Sequence, residues 1–160
     1  EISDKGEAFR KELSINLKEQ NKLIASSGTL LGYRYKNSNI IIPDGTEETE
    51  DDPRKYIPTA RPGHRAPHIW LEEGVSIYDR FGKGFTLIVF NKNDASVNSF
   101  MNEANSINLP LKLLEINNKY AQKLYKSTYV LVRPDLMVTW RSDIMPSNPK
   151  QLLDIVRGAK

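Results

Sequence analysis

The chain contains no cysteine. Disulfides, thiolate zinc sites, thiol nucleophiles and Cys-x-x-Cys redox centres are therefore excluded. Imidazole is nearly as scarce. His64 and His68 are the two histidines, a thin basis for a His-rich metal site or a Ser-His-Asp triad. They lie four positions apart, but Pro67 between them opposes the helix that would put both on one face, and no Glu follows His64, so no metal site is expected. Long apolar runs are missing as well. The longest, Phe85 to Phe90, is interrupted by Thr86 and falls far short of a membrane-spanning helix. The polar, charged start predicts no signal peptide, and together with the missing cysteine it predicts a cytoplasmic protein with no membrane partner. No Walker A pattern occurs. Gly82-Lys83-Gly84 precedes a strand and lacks the third glycine of a dinucleotide fingerprint, so it reads as a tight turn.

What remains suits a globular chain. The 160 residues fit one domain, or one domain with an arm, and 39% apolar against 27% charged residues is an ordinary balance. The opening Glu1 in place of Met reads as a piece of a longer protein. The net charge of +3 is uneven: residues 1–80 carry 12 basic and 14 acidic side chains, residues 81–160 carry 11 and 6. The lysines are scattered singly, without the clustered basic and aromatic residues of a nucleic-acid surface, so no nucleic-acid partner is expected.

Asp4 to Ser26 has the 4-4-3-4 spacing of an amphipathic helix (Phe9, Leu13, Leu17, Gln20, Ile24), with Asp4 and Glu7 as a capping pair and Gly28 past its end. Leu30 to Tyr35 and Asn39 to Ile42 read as short extended pieces. Asp44 to Asp52 holds six acidic residues in nine; it lacks the ligand spacing of a calcium loop and reads as a solvated run. Pro58, Pro62 and Pro67 make Ile57 to His68 an extended strap in which each histidine is expected to bond backbone, the alternative being a carboxylate or phosphate contact favoured by the charge of Arg61 and Arg65. Tyr78-Asp79-Arg80 is placed to hold an ion pair, and Arg133 and Arg141 to pair across a hairpin or with Asp135 or Asp143. Trp70 and Trp140 read as core or interface anchors.

From Phe85 the pattern becomes regular. The strands are Phe85–Phe90, Leu109–Glu115, Ser127–Arg133 and Met137–Arg141. The helices are Asp94 (as cap) to about Ser106, Asn118–Lys126, and Pro149–Arg157 with Gly158 as its stop. The order β-α-β-α-β-β-α, parallel in its first pair and a hairpin in its last, predicts an α/β fold with a thioredoxin-like mixed sheet that lacks catalytic cysteines.

Three blocks carry a resemblance: Leu31 to Ser38; Tyr56 to Leu71 continuing through Ser76 to Leu87; and Leu131 to Asp135 with Val138 to Arg141. They are similar to the C-terminal part of the FAD-dependent aromatic-ring hydroxylases of the p-hydroxybenzoate hydroxylase superfamily. The nearest likeness is to the longer phenol-hydroxylase-like and rifampicin-monooxygenase-like members. One departure is Leu136, where such proteins commonly place Gly in the hairpin turn. The resemblance implies a parent monooxygenase that uses FAD and NAD(P)H to hydroxylate an aromatic ring. It also implies that this chain holds neither cofactor, its glycine-rich and Gly-Asp flavin motifs lying elsewhere. The motif residues carried over are Arg61, Pro62, Gly63, His64, Arg65, Pro67, His68, Trp70, Asp79, Gly82, Arg133, Pro134, Asp135, Trp140 and Arg141. The role implied for them is structural or at an interface, with no catalytic, cofactor-binding or metal residue.

The organisation expected is a helix and acidic linker over 1–55, ending the parent's catalytic portion, the strap and turn over 56–84, and the thioredoxin-like domain over 85–160. Its partners would be the parent's FAD and substrate domains in cis and a second copy of the chain. The alternative is a free-standing thioredoxin-like interaction module without activity; a continuous upstream reading frame encoding Gly-x-Gly-x-x-Gly separates the two.

Overall fold

The computed structural model describes residues 3–24, 26–48, 50–90 and 95–159. Contacts divide the chain into two compact units, residues 1–33 with 49–57, and residues 34–48 with 58–160.

The first unit holds helix α1 (Asp4–Ile24) and the short helix α2 (Ser27–Leu31). Ser3 caps α1 in place of the expected Asp4–Glu7 pair: its hydroxyl accepts from Gly6 N at 3.2 Å and its carbonyl from Glu7 N at 2.9 Å. The apolar positions of α1 do repeat with helical spacing, yet Phe9, Leu13 and Leu17 are 65%, 45% and 51% exposed. Leu30 and Leu31 are helical, not extended, and Gly28 belongs to α2 instead of stopping α1. A Cβ on Gly28 would lie 1.7 Å from Asp52 O, so the absent side chain lets residues 50–57 pass close by.

The second unit is built on a four-stranded sheet. Its strands are β3 (Phe85–Phe90), β4 (Leu111–Ile116), β5 (Tyr129–Val132) and β6 (Val138–Ser142), in the order β4-β3-β5-β6. β3 runs parallel to β4 and antiparallel to β5, and β5 runs antiparallel to β6. Helices α3 (Ala95–Ser106), α4 (Lys119–Tyr125) and α5 (Pro149–Val156) complete the order expected over 85–160. The cap expected at Asp94 lies outside the described residues.

Strand period explains the two cores. Phe85, Leu87 and Val89 face Val97, Phe100 and Ala104 of α3 and Leu152, Leu153 and Val156 of α5. Ile88 and Phe90 face Ala121 and Tyr125 of α4 and Ala60, Ala66 and Ile69 of the strap. All six positions of β3 are buried, which is why that run reads as continuous rather than alternating. Each fully covered Leu or Ile there contributes about 1.5–3 kcal/mol of hydrophobic free energy. Asn118 and Asn148 cap α4 and α5 by accepting from Ala121 N and Gln151 N, each at 3.0 Å.

The strap is part of the sheet system, not merely laid across it. Gly63 N donates to Val138 O, Val138 N to His64 O, and Ala66 N to Leu136 O, each at 2.8 Å. Tyr35 N then donates to Gly63 O at 2.9 Å, so residues 34–35 line up outside the strap. Pro62 and Pro67 have no N–H to give, which confines this pairing to the residues between them. A small ribbon of β1 (Trp70–Glu72) and β2 (Val75–Ser76) follows, then a 3₁₀ turn over Ile77–Arg80.

Candidate functional site

The charged residues of the strap converge on the acidic run. Glu48 lies 3.2 Å from Arg34 Nε, 2.6 Å from Arg61 Nη1 and 2.8 Å from His64 Nε2. The side chains of Arg34 and His64 are 8% and 7% exposed, so the carboxylate answers charges that have left water. Arg61 Nε also donates to Thr46 O at 3.0 Å. Four residues earlier, Asp44 accepts from Arg141 Nε at 2.5 Å and from Thr46 N at 3.0 Å. Arg141 Nη1 donates in turn to Tyr125 O at 3.1 Å. The run is therefore not uniformly solvated: Asp44 and Glu48 point inward, onto cations contributed by β6, the strap and Arg34. Beside them lies an open cavity of about 350 Å³, lined by Tyr35, Lys36, Ile41, Asp44, Glu48 and Arg61 among others.

Burial alone would raise the carboxyl of Glu48, but the His64 hydrogen bond and the charges of His64, Arg34 and Arg61 outweigh it and hold the group below its ordinary value. Asp44 is held down likewise, its burial outweighed by Thr46 and Arg141. For His64, burial lowers the imidazole, and the attraction of Glu48 does not offset burial together with Arg34 and Arg61. Folding thus favours the neutral ring.

The other motif residues have separate tasks. His64 meets a carboxylate instead of backbone. His68 is exposed, its ring edge-to-face with Trp70 at 4.9 Å and near Tyr78 at 5.4 Å. Trp70 is 63% exposed and is no core anchor, whereas Trp140 is buried and stacked with Phe100. Arg65 sits over the Tyr78 ring at 5.5 Å. Asp79 does not pair with Arg80: it closes a capping box on Ser76, accepting from Ser76 N at 2.8 Å, while Arg80 reaches Glu72 at 2.8 Å. Arg133 lies 3.4 Å from Asp135 and donates to Val156 O at 2.7 Å, closing the end of α5. Asp143 accepts from Thr128 N at 2.7 Å instead of meeting an arginine. The sequence reading missed Arg34, Asp44 and Glu48. The one signal available was the coincidence of an acidic run with three arginines and a histidine in blocks far apart along the chain.

Among the described residues no group of three or more His, Asp or Glu side chains is placed to hold a metal ion, and no helix is long and apolar enough to cross a membrane.

The chain is similar to known proteins in sequence and fold. The family model described as aromatic-ring hydroxylase, C-terminal, matches residues 59–158. The FAD-dependent monooxygenase apdD of Emericella nidulans is 38% identical over 130 residues, which cover 76% of this chain and 21% of that protein. The FAD-dependent monooxygenase opdD of Penicillium oxalicum is 32% identical over 141 residues, covering 85% and 27%. Among solved structures, the rebeccamycin biosynthetic enzyme RebC with reduced flavin superposes with a TM-score of 0.84 at 32% identity, over 99% of this chain and 29% of that one. A mixed α/β domain with a strap sewn to the hairpin edge of its sheet is thus the C-terminal domain type found in flavin hydroxylases. The chain belongs to the aromatic-ring hydroxylase C-terminal family, and it spans less than a third of the length of these relatives.

Among the described residues, the glycine pair closest to a phosphate-binding pattern does not fit a dinucleotide pyrophosphate. Gly82 and Gly84, the pair nearest to a phosphate-binding pattern, are taken up by chain packing. A Cβ on Gly84 would stand 2.3 Å from Pro110 O, and Gly82 N donates to Thr86 Oγ1 at 2.9 Å. That amide is spent on the protein itself, where a dinucleotide pyrophosphate needs amides free to point at it.

Proposed function

We propose that this chain is a non-catalytic packing domain of an FAD-dependent, NAD(P)H-using monooxygenase that hydroxylates an aromatic ring, and that it associates with the parent's flavin and substrate domains in cis and with a second copy of itself. Flavin chemistry belongs, on this reading, to the portion of the relatives that the chain does not span. The strand order and directions support describing residues 85–160 as a thioredoxin-like arrangement that has dispensed with thiol chemistry.

The observation that carries the reading is where the motif side chains spend their charge. Glu48, Arg61 and His64 answer one another, and Arg133 and Arg141 bond carboxylates and main-chain carbonyls. A catalytic group needs a free lone pair or proton presented to a substrate; these are committed to holding chain to chain. The half-exposed Phe9-Leu13-Leu17 stripe of α1 supports the packing role, since covering the area still open to water gains on the order of 1 kcal/mol per side chain. Sedimentation velocity over a concentration series tests it. The chain is expected to self-associate, and Leu13→Glu to shift the population toward monomer. A wild-type chain that stays monomeric at high concentration would contradict the packing role.

A further inference from the structure

The path of the chain gives the Glu48 cluster a second meaning. The backbone passes between the two compact units three times, after Tyr33, after Glu48 and after Ile57. On the sheet-unit side, the residues at or near these passages are Arg34, Glu48 and, three residues beyond Pro58, Arg61. All three share one carboxylate, together with His64. Residues 63–64 are themselves bonded to β6 through Gly63 N to Val138 O and Val138 N to His64 O, whereas residues 34–35 meet them only through the isolated Arg34–His64 bridge and the bond from Tyr35 N to Gly63 O. The cluster is separate from both hydrophobic cores, none of its four residues belonging to either.

We propose that Glu48 is a releasable anchor for the roots of the three connecting segments. It holds residues 34–35 and 45–48 of the sheet unit to the strap at 61–64, and its release loosens the first two of these roots while the strap and the four-stranded sheet stay folded.

The physical argument is one of separable energetics. β3 and β5 are held by continuous ladders and by cores on both faces. The roots are held by ion pairs and a few hydrogen bonds around a half-exposed carboxylate, and such regions open locally well below the global unfolding free energy. Asp44 supplies an independent fastening four residues earlier, through Arg141, so release at Glu48 frees a short stretch and not the whole run. The charged groups around the Glu48 carboxylate are Arg34, Arg61 and His64, with Lys36 and Asp44 on the wall of the same cavity. Protonating His64 would set three cations around one carboxylate, so acid is expected to open the same roots.

Hydrogen exchange read by mass spectrometry on the 160-residue chain tests this. In Glu48→Gln, which keeps the shape and removes the charge, the Tyr35 amide, bonded to Gly63 O, is expected to exchange at least about ten-fold faster, while the Ile42 amide, bonded to Thr139 O, is not. The amides of β3 and β5 should be unchanged, and Asp44→Asn should leave the Tyr35 amide protected. Unchanged exchange at Tyr35, or acceleration of roots and sheet together, would overturn the proposal. Should Glu48→Gln fail to fold, the wild-type chain taken from pH 7.5 to pH 5 and corrected for intrinsic exchange gives the same decision. Roots opening before the sheet supports the anchor, and roots and sheet opening as one refutes it.

Discussion

Leu136 sits at φ 67°, a left-handed conformation that costs a β-carbon-bearing residue about 1–2 kcal/mol. The turn demands it. Leu136 N donates to Arg133 O and Arg133 N to Met137 O, while Asp135 Oδ1 accepts from Met137 N at 3.2 Å. Leu136→Gly should therefore stabilise the chain by about 0.5–1 kcal/mol after the extra backbone entropy of glycine is subtracted, seen as a rise in Tm. The resemblance implies a glycine at this position, and the positive φ is the physical reason one would suit it. The titrating residues lead to a second expectation. Asp44 and Glu48 have folded pKa values below their ordinary 3.8 and 4.5, so the stability they contribute is present above those values and lost as pH falls through the folded ones. His64 is also lowered, from 6.5: the unfolded chain takes up a proton there before the folded one does, so stability falls as pH drops below about 6.5. All three act in the same direction. The urea midpoint should decline from neutral pH toward acid, first through His64 and then through the carboxylates. Glu48→Gln should shrink the carboxylate phase and enlarge the His64 phase, because the Glu48 carboxylate is what draws the imidazole back toward its ordinary value. The pairing of Glu48 with His64 could not be read along the chain, because hydropathy and spacing do not say where a 16-residue excursion returns.

The strap is the element on which most motif residues fall, and its glycine has a definite task. Gly63 has φ 92°, and a Cβ there would stand 2.8 Å from Tyr35 O. Gly63→Ala is expected to destabilise by about 2 kcal/mol or more, combining backbone strain with displacement of residues 34–35; thermal melts measure it. Two tyrosines bind the strap from the other side, Tyr125 O–H donating to Pro67 O at 2.7 Å and Tyr78 O–H to Ala66 O at 2.5 Å. Tyr125→Phe leaves a buried carbonyl without that donor and should cost about 1–3 kcal/mol. The extended character of the strap was legible from Pro58, Pro62 and Pro67. Its place beside β6 was not, since proline spacing excludes helix without naming a neighbour. The strands and helices after Phe85 were legible to within a few residues, because both faces of the sheet are covered and the apolar residues follow the strand and helix periods closely. Leu30 and Leu31 misled: two leucines flanked by glycines fit a strand as well as the one-turn helix they form.

At the scale of the molecule, family and fold agree, and the chain spans less than a third of the relatives' length; on the proposed reading the flavin chemistry belongs to the remainder. The resemblance was readable from three motif blocks. The charged cluster that organises those blocks was not, because it joins residues from separate blocks through an acidic run that by itself resembles any solvated loop. The account rests on these side chains binding protein to protein and not protein to flavin. The most direct measurement is a titration of the chain against FAD followed by flavin fluorescence, with NADH and NADPH oxidation monitored in the same samples. The expected result is no saturable quenching and no reductant consumption above the free-flavin rate. One-to-one quenching that saturates in the micromolar range would contradict it.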